Sequence, residues 1–178
     1  MSAVFPLPAE AARPLAAAAG PLRREGHLVY PAAAIHLTLL NLDPWPHGAD
    51  LAARVERALR GEGPVQVLLS GLAASRTGVY ARAFSPDGSL RAARRALRAG
   101  LGRRLPGERG HEPALAHLPV GFVNVARFST PPGKEVAAAL RAARGLKLGP
   151  LTLHALELLS MDRVRSLEHT LVLARVAL

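Results

Sequence analysis

The sequence contains no cysteine. Disulfide staples, thiolate-bound metals and a cysteine nucleophile are therefore excluded. No apolar run approaches the roughly 18 residues that a membrane-spanning helix needs. The first residues, Met1-Ser2-Ala3-Val4-Phe5-Pro6, carry neither the charged start nor the long apolar stretch of a secretory signal. A soluble, cytoplasmic protein with no membrane partner is expected. No histidine–carboxylate spacing reads as a metal site, and no cofactor is expected. Lysine is nearly missing. Lys134 and Lys147 are the only two among 23 basic residues, and the rest are arginine.

What is present is enough for one core. The 178 residues are 49% hydrophobic, which argues against disorder and for a single compact unit spanning 1–178. A monomer is expected. The formal net charge is +10, and a basic surface attracts polyanions such as nucleotides, RNA or DNA. The same arginine-, alanine-, glycine- and proline-rich composition is also what a biased genome produces, so charge alone does not identify a partner.

Along the chain, Ala3–Leu7 reads as a short strand stopped by Pro8. Residues 9–25 read as a helix interrupted near Pro14 and Pro21. Leu28-Val29-Tyr30 and then Ile35–Leu40 are β-type runs, and 43–48 is a loop. Residues 49–60 form an amphipathic helix with Leu51, Val55 and Leu59 four apart. Strands follow at Val65–Leu69 and Gly78–Phe84. A helix near 89–104, capped by Ser89, has Leu90, Ala93, Leu97 and Leu101 as its apolar stripe. Its run Arg91, Arg94, Arg95 and Arg98 reads as a solvated outer face. Residues 106–117 read as an exposed loop. The chain closes with a strand (120–128), a helix (132–144) and two strands (150–159 and 167–177).

The order strand–helix–strand–strand occurs twice, over about 34–84 and 120–177. The first copy starts at His36-Leu37-Thr38-Leu39-Leu40 and the second at Phe122-Val123-Asn124-Val125-Ala126, an offset of 122 − 36 = 86. The same offset carries Gly63-Pro64 onto Gly149-Pro150. An α+β fold is expected, with two pseudo-symmetric lobes of antiparallel sheet, helices on the outer faces and a central groove. Alternate residues of a strand share a face. His36 and Thr38 would therefore enter the groove while Leu37 and Leu39 are buried. By the repeat, Phe122 and Asn124 enter the same groove.

The segment Ala34-Ile35-His36-Leu37-Thr38-Leu39-Leu40 resembles the first signature of the two-histidine phosphoesterase superfamily, which includes the RNA 2′,3′-cyclic phosphodiesterases or 2′-5′ RNA ligases. The resemblance extends to length, element order, internal symmetry and the closing pair of strands. It implies a groove flanked by two H-x-T/S motifs. One histidine serves as general base and the other as general acid, and each hydroxyl holds phosphate oxygens. No metal is implied. Here the second motif is degenerate: Phe122 stands where the histidine would be, and Asn124 where the Thr or Ser would be. Phenylalanine transfers no proton, whereas Asn124 can still donate to a phosphate oxygen.

The resemblance implies His36 as acid or base and Thr38 as phosphate holder, with Asn124 and Phe122 as substrate contacts. Tyr80, Arg82 and Phe84 share a strand face that could stack a base and hold a phosphate, or be an ordinary exposed face. Of the other histidines, His111 and His117 sit in the expected loop, where either could swing into the groove. His154 reads as half-buried on a strand, and His27 and His47 read as surface residues. His169-Thr170 lacks the H-x-T spacing. Two functions follow as expectations: a phosphodiesterase acting on 2′,3′-cyclic or 2′-5′ linked nucleotide or RNA phosphates, or a nucleotide- or RNA-binding module that has lost the chemistry.

Overall fold

The computed structural model describes residues 1–42, 50–102, 121–160 and 170–178. The expected loops at 43–48 and 106–117, with His47, His111 and His117, lie outside these residues, and so does His169 at the start of the expected last strand. The strands are β1 (Ser2–Pro6), β2 (Leu28–Val29), β3 (His36–Asn41), β4 (Val65–Ala74), β5 (Gly78–Phe84), β6 (Gly121–Arg127), β7 (Lys147–Leu153), β8 (Ala155–Ser160) and β9 (Leu171–Ala177). The helices are α1 (Ala9–Ala19), α2 (Asp50–Leu59), α3 (Ser89–Leu101) and α4 (Lys134–Ala142). Among the described residues, no helix is long and apolar enough to cross a membrane.

All nine strands join one sheet in the order β7-β4-β5-β6-β3-β1-β8-β9, with β2 added to β6. Every pairing is antiparallel. An α+β fold with an antiparallel sheet is what the alternation of short β-type runs and helical stripes predicts. The two central strands, β3 and β6, meet at the pair Leu37↔Val123. Their separation is 123 − 37 = 86, the offset of the two motif segments. A local dyad between Leu37 and Val123 thus relates His36 to Phe122 and Thr38 to Asn124. The other occurrence of this offset has a different geometry. Gln66 and Thr152 are ladder partners in β4 and β7, and their side chains hydrogen-bond at 2.9 Å.

The helical stripes are buried where the spacing predicts: Leu51, Val55 and Leu59 on α2, and Leu90, Ala93, Leu97 and Leu101 on α3. They join one core with Leu37 and Leu39 of β3, Ala81 and Ala83 of β5, and Val123 and Val125 of β6. Each fully buried Leu or Val contributes about 1.5–3 kcal/mol relative to leaving it in water. Since side chains alternate across a strand, this burial turns His36, Thr38, Phe122 and Asn124 to the opposite face of the sheet.

Local chemistry explains several departures from the sequence reading. The helix expected over 9–25 is α-helical only to Ala19, and a 3-10 segment continues from Gly20 to Glu25. The break falls at Pro21, whose missing N–H cannot serve the helical ladder, and not at Pro14, which α1 accommodates. Gly26 ends the segment in the left-handed region at φ 76°. The strand expected over 150–159 is two strands, separated at His154. That histidine is exposed, not half-buried. Ser89 does not cap α3. Gly88 occupies the N-cap, and Asp87 Oδ1 accepts the Ser89 amide at 3.0 Å. Ser85 Oγ accepts the Leu90 amide at 3.1 Å, and Ser89 Oγ instead accepts the Gln66 amide of β4 at 2.8 Å.

His27 is a larger correction: it is buried, with 4% of its surface exposed. Its Nδ1 accepts the Ser129 amide at 3.4 Å, so Nε2 carries the proton it donates to Glu135 Oε1 at 3.3 Å. The ring also leans on Phe128 at a centroid distance of 5.2 Å. This cluster ties the segment after the 3-10 turn to the start of α4. A lone histidine next to glycine has no periodicity, so its sequence context gives no sign of burial.

Candidate active site

His36 opens β3 and is half-buried. Its Nδ1 lies 2.9 Å from the Ala34 carbonyl oxygen. A carbonyl only accepts, so Nδ1 carries the proton and the neutral ring keeps its lone pair on Nε2. The short 3-10 turn at Ala32–Ala34, just before the strand, brings that carbonyl back to the ring. This bond to its own chain two residues upstream helps to orient the ring.

The register Leu37↔Val123 sets His36 beside Asn124 and Thr38 beside Phe122 across the central strand pair. On the next strand, Tyr80 pairs with Asn124 and Arg82 with Phe122. Cross-strand neighbours on one face touch. The Tyr80 and Phe122 rings meet edge to face with centroids 4.9 Å apart. Phe122 remains 49% exposed, too much for a side chain placed only for packing in the core.

Two cavities open on this face and share Asn124 as a wall. The first has a volume of about 170 Å³ and is lined by His36, Asn124, Tyr30, Glu157 and Thr170, with apolar walls including Pro6 and Val172. The second, about 490 Å³, is lined by Thr38, Asn124, Tyr80, Phe122, Arg94 and Arg98 among others. The structure thus gathers five of the six candidates from the sequence. Arg82 shares the strand face but lines neither cavity. It is exposed, with its guanidinium over Gly71, 3.7 Å from where a Cβ would stand.

Four lining residues were not legible as site residues. Tyr30 follows β2, six residues before His36, and Glu157 comes from β8, far from it in sequence. Among the described residues, the buried Tyr30 hydroxyl has no hydrogen-bond partner. Arg94 and Arg98 correct the reading of the α3 arginines as a solvated face. Both are half-buried, whereas Arg95 is exposed. Each follows a buried stripe residue, Ala93 or Leu97, by one position, so its long stem folds over the rim of the core. Arg94 Nε donates to the Leu39 carbonyl at 3.0 Å. Among the described residues, no group of three or more His, Asp or Glu side chains could hold a metal.

The fold is shared with known structures. TT0787 of Thermus thermophilus superposes with a TM-score of 0.67 at 23% identity, covering 99% of this chain and 96% of that one. E. coli LigT, solved as a complex with ATP, gives 0.57 at 18% identity with the same coverage. A structure described as a phosphoesterase gives 0.58 at 18% identity, again over 99% and 96% of the two chains. A comparison with curated proteins found no match. These likenesses show that the chain shares its α+β fold with them. The model of the 2′-5′ RNA ligase superfamily matches residues 7–165, and the chain belongs to that superfamily.

Proposed function

We propose that this protein is a phosphodiesterase-like enzyme acting on 2′,3′-cyclic or 2′-5′ linked nucleotide or RNA phosphates through a single histidine. The observation that carries the reading is the Nδ1–H bond from His36 to the Ala34 carbonyl, 2.9 Å, at a cavity shared with Asn124. That bond leaves Nε2 as the basic nitrogen. Superfamily membership supports phosphoesterase chemistry, and the ATP held by LigT makes a nucleotide ligand reasonable.

In hydrolysis of a cyclic phosphate, a water oxygen bonds to phosphorus and gives its proton to His36 Nε2. The bond from phosphorus to O2′ or O3′ breaks, and the leaving oxygen takes a proton from solvent. The microscopic reverse assigns His36 as the acid and water as the base. Thr38 and Asn124 donate to the non-bridging oxygens as their charge grows. In-line displacement puts the attacking and leaving oxygens on opposite sides of phosphorus, so one imidazole serves only one of them. With Phe122 in the second position, the missing proton transfer costs about 10²–10⁴-fold in rate.

Phosphorus NMR of the protein with a 2′,3′-cyclic nucleotide tests this. The cyclic phosphate signal should be replaced by that of a 2′- or 3′-monoester. An unchanged spectrum across cyclic and 2′-5′ linked substrates would reject the enzyme reading. A second reading, a nucleotide- or RNA-binding module without turnover, is favoured by the exposed Phe122 ring at the histidine position. It predicts binding that weakens with salt and no product.

A further inference from the structure

The cavity at His36 has a wall that does not suit an anion. Its volume is about 170 Å³, below the roughly 300 Å³ at which small-molecule pockets begin. A water takes about 30 Å³ of liquid volume, so a few waters fill the space. Among the described residues, Val4, Pro6, Ile35 and Leu159 give it apolar walls, and Glu157 brings a carboxylate. A carboxylate repels a phosphate oxygen and accepts a hydrogen bond from a neutral donor. The occupant it selects is small, neutral and has hydrogen to donate.

The sheet sets Glu157 across from the motif strand. β1 lies between β3 and β8, and Val4 is the ladder partner of both Thr38 and Glu157. These three residues therefore share a face and form one row across three strands. His36 stands beside Pro6 in the next row. Neighbouring strands are about 4.8 Å apart, so the backbones of Thr38 and Glu157 are separated by about 10 Å. Val4 and Pro6 are too short to fill that gap, which leaves it to the imidazole, the carboxylate and what they hold between them. Glu157 is half-buried. Its ladder partner on β9, Arg175, is exposed and forms no ion pair with it. Among the described residues, no hydrogen bond occupies the carboxylate either.

We propose that Glu157 positions the attacking water. The water donates one hydrogen to His36 Nε2 and the other to the Glu157 carboxylate, which turns an oxygen lone pair toward phosphorus. As the oxygen–phosphorus bond forms, the first proton passes to His36. The bond from phosphorus to O2′ or O3′ breaks on the far side, and that oxygen takes a proton from solvent. The second hydrogen stays on the attacking oxygen and leaves with the monoester. Glu157 itself gains no proton; it is a positioning residue. This rests on the phosphodiesterase-like reading above and adds a preference among nucleophiles. An alcohol has a single O–H hydrogen and cannot serve both His36 and Glu157.

The test follows a 2′,3′-cyclic nucleotide by phosphorus NMR in water containing methanol. Hydrolysis yields a monoester and methanolysis a methyl diester, and the two signals are distinct. Glu157→Gln keeps the shape of the side chain and weakens it as an acceptor. Its kcat for hydrolysis should fall about tenfold, the worth of a hydrogen bond to a charged group, with KM within about threefold of wild type. Methanolysis should change less, so the product ratio shifts toward the methyl diester by about threefold or more. An unchanged kcat and product ratio in Glu157→Gln would overturn the proposal. So would hydrolysis and methanolysis falling together, which is what a merely structural role gives. Both results leave the function reading intact. If wild type yields neither product, the proposal and the function reading fall together. Should Glu157→Gln fail to fold, wild type is compared with free imidazole buffer acting on the same substrate. A wild-type preference for water no greater than that of imidazole would then overturn the proposal, and a greater one would support it.

Discussion

Replacing His27 by alanine tests whether a buried polar cluster fastens the N-terminal segment to α4. The imidazole is buried to 4% exposure and packs on Phe128. It holds the Ser129 amide at 3.4 Å and Glu135 at 3.3 Å. Truncating a buried ring leaves a cavity, and truncation of the larger Phe or Trp costs about 3–5 kcal/mol. Ser129 is exposed, so its freed amide turns to water and adds little. The smaller imidazole and the long hydrogen bonds place the sum at the low end, about 2–3 kcal/mol. For a chain of 178 residues, each kcal/mol shifts Tm by about 2–4 °C, so a fall of about 4–12 °C is expected in a thermal melt. Neither cavity on the sheet face contains His27, so nucleotide affinity at a temperature where the variant is folded should be unchanged. A variant melting within about 1 °C of wild type would refute the anchoring role. A loss of affinity with unchanged stability would show that His27 belongs to the site instead.

Three further outcomes follow from the same structure. Glu135 accepts the Gly133 amide at 2.7 Å. That bond, with smaller contributions from its own amide and from His27, holds its carboxyl below the ordinary glutamate value. A depressed folded-state pKa gives stability that is complete above the unfolded value, about 4.3, and that is lost as pH falls through the folded value. The stability advantage of wild type over Glu135→Gln, followed by denaturant melts, should therefore shrink below about pH 4. Tyr30→Phe removes a buried hydroxyl that has no partner among the described residues, so it should raise stability by about 1 kcal/mol, and a lower denaturation midpoint would contradict that assignment. Phe122→His places an imidazole at the dyad-related position of His36, and turnover of a 2′,3′-cyclic nucleotide should rise by about tenfold or more toward the 10²–10⁴-fold range of a second proton-transfer group.

Much of this was legible in the sequence, for reasons that differ by residue. Leu51, Val55 and Leu59, and the stripe from Leu90 to Leu101, are periodic, and periodicity survives into burial. His36 and Thr38 were legible because strand alternation assigns them a face once Leu37 and Leu39 are buried. At β3 and β6 the offset of 86 describes the ladder pair Leu37↔Val123. At β4 and β7 the same number describes two strands that pair with each other, and sequence alone does not separate these geometries. Tyr30, Glu157, Arg94 and Arg98 enter the face only through tertiary packing. His27 was missed because nothing local distinguishes a buried, paired histidine from an exposed one.

The central claim is that His36 moves the proton in a phosphodiester reaction. It is tested most directly by kcat/KM for a dinucleotide ending in a 2′,3′-cyclic phosphate, with wild type and His36→Ala compared near neutral pH and folding checked by thermal melt. The account predicts turnover by wild type and a fall of about 10²-fold or more in the variant. A folded His36→Ala protein as active as wild type would contradict it.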